Sequence, residues 1–213
     1  MDGFRNADGK AIVEELVTTI KENAAWLSEV DGAIGDGDHG INMSKGFSMC
    51  GDSMAGKALS FTESLMVLGK TLLMDIGGSM GPLYGGFFKA MAKAGAASEF
   101  IEPKVFLAML ETGIASIQSI GSANQGDKTL LDTLIPACGA FRKALESDKG
   151  FAGALDLMVV EAEKGMLSTK DMVARIGRAA RLGERSRGVL DAGASSSFLI
   201  LKSMGLSIKE LLV

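Results

Sequence analysis

The stretch DGAIGDGDHG at residues 31–40 brings three carboxylates, Asp31, Asp36 and Asp38, together with His39, the single histidine of the chain. Asp36 and Asp38 are two residues apart, so on an α-helix they would diverge, because neighbours on one helical face are three or four residues apart. The interleaved glycines permit a turning backbone, since glycine adopts positive φ without a steric penalty. Such a compact set of hard oxygen ligands suits Mg²⁺ or Ca²⁺ better than Zn²⁺. We therefore predict a divalent metal site here, with a polar loop whose aspartates cap a helix as the alternative.

Two familiar loop templates do not fit the sequence. An EF-hand requires glutamate at its twelfth position, and counting from Asp36 that position is Phe47. The segment GSANQGDKT at residues 121–129 resembles a P-loop, but it has one residue too many before the lysine. It also follows a predicted helix, whereas a P-loop follows a strand. Without a P-loop, Mg²⁺ held by carboxylates would supply most of the charge that neutralises phosphates.

Apolar residues recur with helical spacing along most of the chain. A capping box at Ser60 and Glu63 and helix-starting prolines at Pro82 and Pro103 mark further boundaries. The predicted helices cover residues 8–30, 41–54, 60–76, a segment from 82 onward, 103–121, 127–145 with Pro136 inside, 151–166, 170–182 and 194–204. No segment shows convincing strand alternation, and no internal repeat is visible. We predict an all-α bundle of about eight antiparallel helices in one domain, residues 1–213.

Glycine-rich turns separate the predicted helices at residues 32–40, 77–81, 121–126 and 188–193, and the chain has 28 glycines. If helices alternate up and down, every second turn lies at the same end of the bundle. These four turns would then share one end and build one site.

Composition restricts the possible functions. At 213 residues with 47% hydrophobic content, the chain is long enough for one well-packed domain. Its apolar runs are shorter than the ~20 residues of a membrane span, and the first ten residues lack a signal-peptide core. The net charge of −4 argues against a nucleic-acid-binding surface. Cys50 and Cys138 are too few for a disulfide framework, which favours a reducing cytoplasm.

Four motifs together resemble the nucleotide-binding L subunit of dihydroxyacetone kinase, in the order of that family and across nearly the whole chain. They are DGAIGDGDHG at 31–40, GGSMGPLYG at 77–85, GDKTLLD at 126–132, and LGERS at 182–186 with DAG at 191–193. The resemblance implies an eight-helix antiparallel barrel that binds ADP or ATP with two Mg²⁺ ions at one end. The metal-binding aspartates of the family correspond to Asp31, Asp36 and Asp38.

The resemblance also implies a set of nucleotide contacts, with no residue given a certain catalytic role. They are His39, Gly40, Ile41, Asn42, Ser79, Met80, Gly121, Thr129, Arg178, Asp191, Ala192 and Gly193. The family usually has proline where Ala192 stands, which would loosen that turn. A related fatty-acid kinase domain has threonine in place of His39, so the histidine favours the dihydroxyacetone branch.

Several of these residues have a structural alternative. Met80 is either a nucleotide contact or a core residue like most of the 13 methionines. The arginines between 175 and 187 are either a solvated surface or a site for phosphate or an acidic partner, with Arg178, Arg181 and Arg185 on one face of the predicted helix. Asp132 and Thr133 are interpreted as structural.

As a whole, the resemblance implies a cytoplasmic phosphotransferase subunit of the phosphotransferase-system type. Bound ADP would be rephosphorylated by a phosphohistidine partner, and the ATP formed would phosphorylate dihydroxyacetone held on a separate K subunit. One alternative is an L subunit that exchanges free ATP, or that serves another small ketose. A phosphocarrier with His39 itself phosphorylated, and a regulatory module that presents ADP to a transcription factor, are the others.

Overall fold

The structure, a computed structural model, describes residues 2–213. Its α-helices are α1 (Lys10–Glu22), α2 (Ala24–Gly32), α3 (His39–Met54), α4 (Phe61–Asp75), α5 (Met80–Gly95), α6 (Pro103–Ile120), α7 (Leu131–Glu146), α8 (Gly150–Ser168) and α9 (Ala192–Leu211). Two short antiparallel strands, β1 (Phe4–Arg5) and β2 (Phe100–Ile101), pair beside the helices. The all-α prediction is therefore confirmed. The count of helices is eight when α1 and α2 are taken as one broken helix.

The helices form a closed ring. Each of α3 to α8 packs against the next helix in sequence, and α1 packs against both α3 and α9, which closes the barrel. Its interior is filled by apolar side chains, including the clustered rings of Phe106, Phe141 and Phe151, in which Phe141 contacts the other two edge-to-face. None of the helices described for residues 2–213 is long and apolar enough to cross a membrane.

Two local sequence signals are confirmed. The hydroxyl of Ser60 accepts a hydrogen bond from the Glu63 amide at 3.2 Å, and the Glu63 carboxylate accepts one from the Ser60 amide at 2.8 Å, which completes the capping box of α4. Pro103 is the first residue of α6. Pro82, in contrast, is the third residue of α5, because that helix begins at Met80.

The predicted helix 8–30 is broken at Asn23. Its side-chain amide donates to the carbonyl oxygen of Thr19 at 2.8 Å, and its backbone leaves the helical conformation (φ −99°, ψ 6°). Asparagine competes for helical backbone groups in this way, which ends α1 at Glu22 and lets α2 begin at Ala24. Asp31 consequently lies in the last turn of α2 and not in the loop itself.

The prediction of a helix over residues 170–182 is wrong. The chain forms 3-10 turns at Thr169–Asp171 and Ala179–Ser186, with an irregular segment between them. Gly177 and Gly183 have φ of 77° and 55°, values that do not continue a right-handed helix. The arginines of this segment therefore do not share a helical face.

The predicted helix over 127–145 also starts later, at Leu131. Gly126 and Lys128 both have positive φ, so residues 126–130 form a turn before α7. Pro136 lies inside α7, which nevertheless continues to Glu146 as one helix.

Glycines permit the close packing of α4 on α5. A Cβ added at Gly85 would lie 2.9 Å from both the Gly69 carbonyl oxygen and the Leu73 amide nitrogen, closer than real Cβ atoms approach. The two helices thus contact each other through backbone atoms, which cannot move aside for a side chain.

We expect Gly85→Ala to reduce the free energy of unfolding by about 1–3 kcal/mol, because the added methyl group overpacks this contact. Gly139 lies inside α7, and a methyl group added there would meet no neighbour within 4 Å. Gly139→Ala, the matched control, should raise stability by up to ~1 kcal/mol through helix propensity. Urea denaturation measures both, and equal effects would contradict the packing argument.

Candidate functional site

Three carboxylates converge where α2 passes into α3. Asp31, Asp36 and Asp38 each offer an oxygen atom, and these atoms all lie within 4.8 Å of one another. Two glycines permit this arrangement. Gly37 has φ of 76°, and a Cβ at Gly35 would overlap the Asp31 carboxylate. The donors are all oxygen, which fits a hard divalent cation such as Mg²⁺.

The first turn of α3 faces this cluster. The backbone amide of His39 points to Asp31 Oδ2 at 3.4 Å, and Asp38 is the N-cap residue of the helix. A Cβ at Gly40 would overlap the carbonyl oxygen of Ala24, so glycine is needed for α3 to start this close to α2. The unpaired amides and the dipole of a helix N-terminus favour anions, and phosphate in particular.

The imidazole of His39 is bound to α9. Its Nε2 lies 2.9 Å from Ser196 Oγ, which in turn lies 2.6 Å from the hydroxyl of Tyr84. Tyr84 also donates to the Gly193 carbonyl oxygen at 3.0 Å. Desolvation lowers the pKa of His39 to about 4, although the nearby Asp31 charge acts in the opposite direction. The ring is thus neutral at pH 7, a state suited to directional hydrogen bonding.

The turn at residues 191–193 begins α9 at the same end of the barrel. Asp191 caps the helix, because its Oδ2 accepts a hydrogen bond from the Ala194 amide at 2.7 Å. Desolvation raises the pKa of Asp191 to about 6, against the lowering effects of that amide and of Lys128. A Cβ at Gly193 would lie 3.4 Å from Leu130, so this turn packs on the GDKTLLD motif.

Asp132 organises the GDKTLLD turn. Its carboxylate is buried and accepts hydrogen bonds from the backbone amides of Gly126 and Thr129, the latter at 2.7 Å. Thr133 is also buried and donates to the Ala194 carbonyl oxygen at 3.1 Å. These contacts agree with the structural roles expected of Asp132 and Thr133.

Lys128 is a buried cation that the sequence analysis included only in the P-loop comparison and in the GDKTLLD motif. The side chain is 1% exposed. Its Nζ donates to the carbonyl oxygens of Thr169, Ser186 and Val189 at 2.7, 2.8 and 2.6 Å. Desolvation lowers its pKa, while the charge of Asp191 opposes the shift. Lys128 therefore holds both ends of the segment 169–190 against the α6–α7 connection.

The segment 169–190 carries Arg178 over the carboxylate cluster. The Arg178 guanidinium forms an ion pair with the Asp36 carboxylate, and both side chains are substantially exposed. Arg175 lies 3.7 Å from Asp127, and Arg187 pairs with Glu184 at 3.0 Å. Arg178 is thus the arginine of this segment that the structure brings to the three aspartates.

The remaining predicted contacts lie in the turns that begin or end helices at this end of the barrel. Ser79 is the N-cap residue of α5, and Gly121 ends α6 in an exposed position. Thr129 lies in the turn before α7, and Ile41 is 65% exposed on the first turn of α3. Met80 is the first residue of α5, where it is 8% exposed and packs with the hydrophobic core.

These observations define the class of the protein: a closed all-α barrel with a polar end made of carboxylates, an arginine and helix N-termini. Residues 33–205 match the DAK2 domain family, which leaves Asp31 just outside the matched segment. The chain belongs to this family.

The curated relatives of the chain include two of similar length. The ADP-binding subunit DhaL of PEP-dependent dihydroxyacetone kinase 1 from Listeria innocua is 39% identical, over 87% of this chain and 88% of the relative. The corresponding DhaL subunit from Escherichia coli is 37% identical, over 87% of this chain and 89% of the relative. Both matches extend over most of the two chains that are compared.

A solved structure has the same fold. The crystal structure of the dihydroxyacetone kinase from C. freundii, in complex with AMP-PNP and Mg²⁺, superposes with a TM-score of 0.71 at 25% identity. The match covers 96% of this chain but 34% of that kinase, so this chain corresponds to about a third of it.

We expect Lys128→Met to reduce the free energy of unfolding by about 1–3 kcal/mol, because it leaves buried carbonyl oxygens without donors. It should also raise amide hydrogen exchange across residues 169–190. Lys170→Met is the matched control, since Lys170 lies in the same segment with an exposed side chain. Similar stability and exchange in the two variants would contradict the clamping role of Lys128.

Proposed function

We propose that this chain is the ADP/ATP-binding subunit of a dihydroxyacetone kinase, a phosphotransferase that works together with other subunits. The observation that carries the proposal is the cluster of Asp31, Asp36 and Asp38 at the N-terminus of α3, with Arg178 beside it. Relatives named as ADP-binding DhaL subunits that align over almost their full length support it.

Asp31, Asp36 and Asp38 would hold two Mg²⁺ ions, and the all-oxygen donor set of the cluster fits this metal. Bound there, the ions would supply positive charge that neutralises the nucleotide phosphates. The C. freundii kinase, described with AMP-PNP and Mg²⁺, supports the use of nucleotide and magnesium.

The chain's own groups would orient the nucleotide. The first turn of α3 presents backbone amides to a phosphate, and Arg178 offers a guanidinium that matches phosphate geometry. The proposed contacts are those that the family motifs indicate: His39, Gly40, Ile41, Asn42, Ser79, Met80, Gly121, Thr129, Arg178, Asp191, Ala192 and Gly193.

In the proposed reaction, ADP remains bound and accepts a phosphoryl group from a phosphohistidine partner, which regains its neutral imidazole. The ATP formed passes this group to a hydroxyl oxygen of dihydroxyacetone on a K subunit, and the hydroxyl proton is released. Catalysis of phosphoryl transfer is mainly a matter of positioning and charge stabilisation, which are the tasks that the barrel end is suited to. We place this cycle in the cytoplasm, where buried, unpaired Cys50 and Cys138 are stable as thiols.

The carboxylate cluster generates the first test. We expect Asp36→Asn and Asp38→Asn to weaken Mg-ADP binding roughly tenfold to a hundredfold, because each removes a negatively charged ligand from the proposed metal site. The helical fold should be retained. Asp52→Asn, which changes an exposed aspartate near the end of α3, is the matched control.

Titration calorimetry measures the affinities, and equilibrium dialysis with Mg²⁺ and ADP counts the bound ions. Unchanged affinity in both loop variants would contradict the metal site. A count of one ion per nucleotide would correct the proposed stoichiometry of two.

Division of labour between subunits generates the second test. Supplied with dihydroxyacetone and ATP, the purified chain alone should show no turnover, and activity should appear once a K subunit is added. Sustained turnover should need the phosphohistidine donor, because a nucleotide held by metal ions and several turns exchanges slowly.

Three outcomes would redirect the proposal. Robust phosphorylation of the ketone by the chain alone would overturn it. Multiple turnovers with the K subunit and free ATP, but without the donor, would select the ATP-exchanging alternative. Acid-labile phosphate on the protein that disappears in His39→Ala would favour a phosphocarrier. The carboxylates of Asp31 and Asp38 beside His39 disfavour that alternative, because they would repel a phosphohistidine.

A further inference from the structure

A chain of hydrogen-bonding side chains joins three helices behind the nucleotide end. It consists of His39 on α3, Ser196 on α9 and Tyr84 on α5, and we refer to it as the His39–Ser196–Tyr84 chain. The two contacts measure 2.9 Å between His39 Nε2 and Ser196 Oγ, and 2.6 Å between Ser196 Oγ and Tyr84 OH. Ser196 is 0% exposed and Tyr84 is 3% exposed, so the contact between these two hydroxyl groups is shielded from water, while His39 is half-buried.

Ser196 makes more contacts than a buried helical serine needs. Its hydroxyl is already within reach of the carbonyl oxygens of Ala192 and Gly193 on its own helix, at 3.1 and 3.2 Å. The adjacent Ser195 is satisfied by one such contact, to the Asp191 carbonyl oxygen at 2.8 Å. A hydroxyl has one proton, for which one backbone carbonyl oxygen is a sufficient acceptor. The contacts to His39 and Tyr84 go beyond this need, and they constrain the imidazole.

Tyr84 supports Ser196 from the opposite side. Its ring packs in the core, and its hydroxyl donates to the Gly193 carbonyl oxygen at 3.0 Å in addition to the contact with Ser196. Tyr84 thus ties the position of the serine hydroxyl to the turn at residues 191–193. The same turn was proposed above to line the nucleotide site.

The constraint acts on one of the two imidazole nitrogens. Nε2 is held by Ser196, while the hydrogen bonds found in residues 2–213 leave Nδ1 of His39 unused. A partner on one ring nitrogen selects the tautomer and the ring orientation, and so determines what the other nitrogen offers. His39 is the first residue of α3 and directly follows the loop that carries Asp36 and Asp38. A phosphate bound at this helix N-terminus would lie near its imidazole.

We propose that Ser196 and Tyr84 are positioning residues, which orient the His39 imidazole so that its Nδ1 is available to the bound nucleotide. The inference rests on the proposed function for the identity of the ligand. It assigns to α9 and α5 a part in nucleotide binding that requires no direct contact with the nucleotide.

Because His39 is the single histidine of the chain, ¹⁵N-histidine labelling yields signals from one imidazole. In nucleotide-free protein, Ser196→Ala and Tyr84→Phe should both shift the Nδ1 and Nε2 resonances. Ser203→Ala is the matched control, because Ser203 is a buried serine of α9 whose hydroxyl accepts from Thr19, remote from the site. It should leave the imidazole resonances unchanged. Tyr84→Phe keeps the aromatic ring, so it provides the test if Ser196→Ala does not fold.

Mg-ADP affinity supplies the second measurement. We expect Ser196→Ala to weaken binding about fivefold, the effect of one hydrogen bond. In a His39→Ala background the same substitution should cause no further loss, because the group that it positions is gone. A general structural role would reduce affinity equally in both backgrounds.

The outcomes distinguish the positioning role of Ser196 and Tyr84 from the proposed function of the chain. Imidazole resonances that are unchanged in both Ser196→Ala and Tyr84→Phe, or equal affinity losses in the two backgrounds, would overturn the positioning role. Failure of the unsubstituted protein to bind Mg-ADP would overturn the proposed function and the nucleotide part of this inference. The resonances in nucleotide-free protein would still decide whether Ser196 and Tyr84 orient His39.

Discussion

At Gly40 the backbone of α3 lies directly against the backbone of α2, with room for a hydrogen atom and not for a side chain. The chain therefore turns back within the six residues between α2 and α3, where Gly37 adopts a φ of 76°. Three aspartates of like charge are brought together as a consequence. The ion pair between Arg178 and Asp36 offsets part of their negative charge, and a bound divalent cation would offset more of it. The same contact directs the first turn of α3, and with it His39, toward α9.

Lys128 positions the segment 169–190 at the same end of the barrel, as the Gly40 contact positions the loop between α2 and α3. A lysine in a glycine-rich loop invites comparison with phosphate-binding loops, but this ammonium group is surrounded by carbonyl oxygens of its own chain. Burial of a charge is tolerated only where such partners are complete. The lysine thus acts as the centre of a small polar core around which the irregular segment 169–190 is folded. Arg178 reaches Asp36 because this segment is held in place.

The Gly40 contact and the Lys128 ammonium group each position one part of the polar end. Together they show how a helical barrel can carry a polar site. The barrel interior is apolar and closely packed, and it provides rigid helix ends. The polar groups are confined to the turns at one end, where positive φ values and helix caps arrange them. Rigid helices with irregular connections are a common basis for binding sites, since loops tolerate the conformations that ligands require. The His39–Ser196–Tyr84 chain extends this polar end a short distance into the barrel.

The sequence by itself determined the helical class, most helix positions and the three carboxylates of the polar end. Helical periodicity, the Ser60 capping box and the clustered glycines are local signals, and local physical chemistry is sufficient to interpret them. The carboxylate cluster was equally readable, because its members are close in sequence. The sequence did not predict the break at Asn23 or the irregular conformation of residues 170–182. Each depends on a balance between local helix propensity and competing contacts. Lys128 and the partners of His39 were decided only by the tertiary structure. Their contacts join residues 41 to 157 positions apart, and a single sequence has no periodicity or spacing that records such contacts.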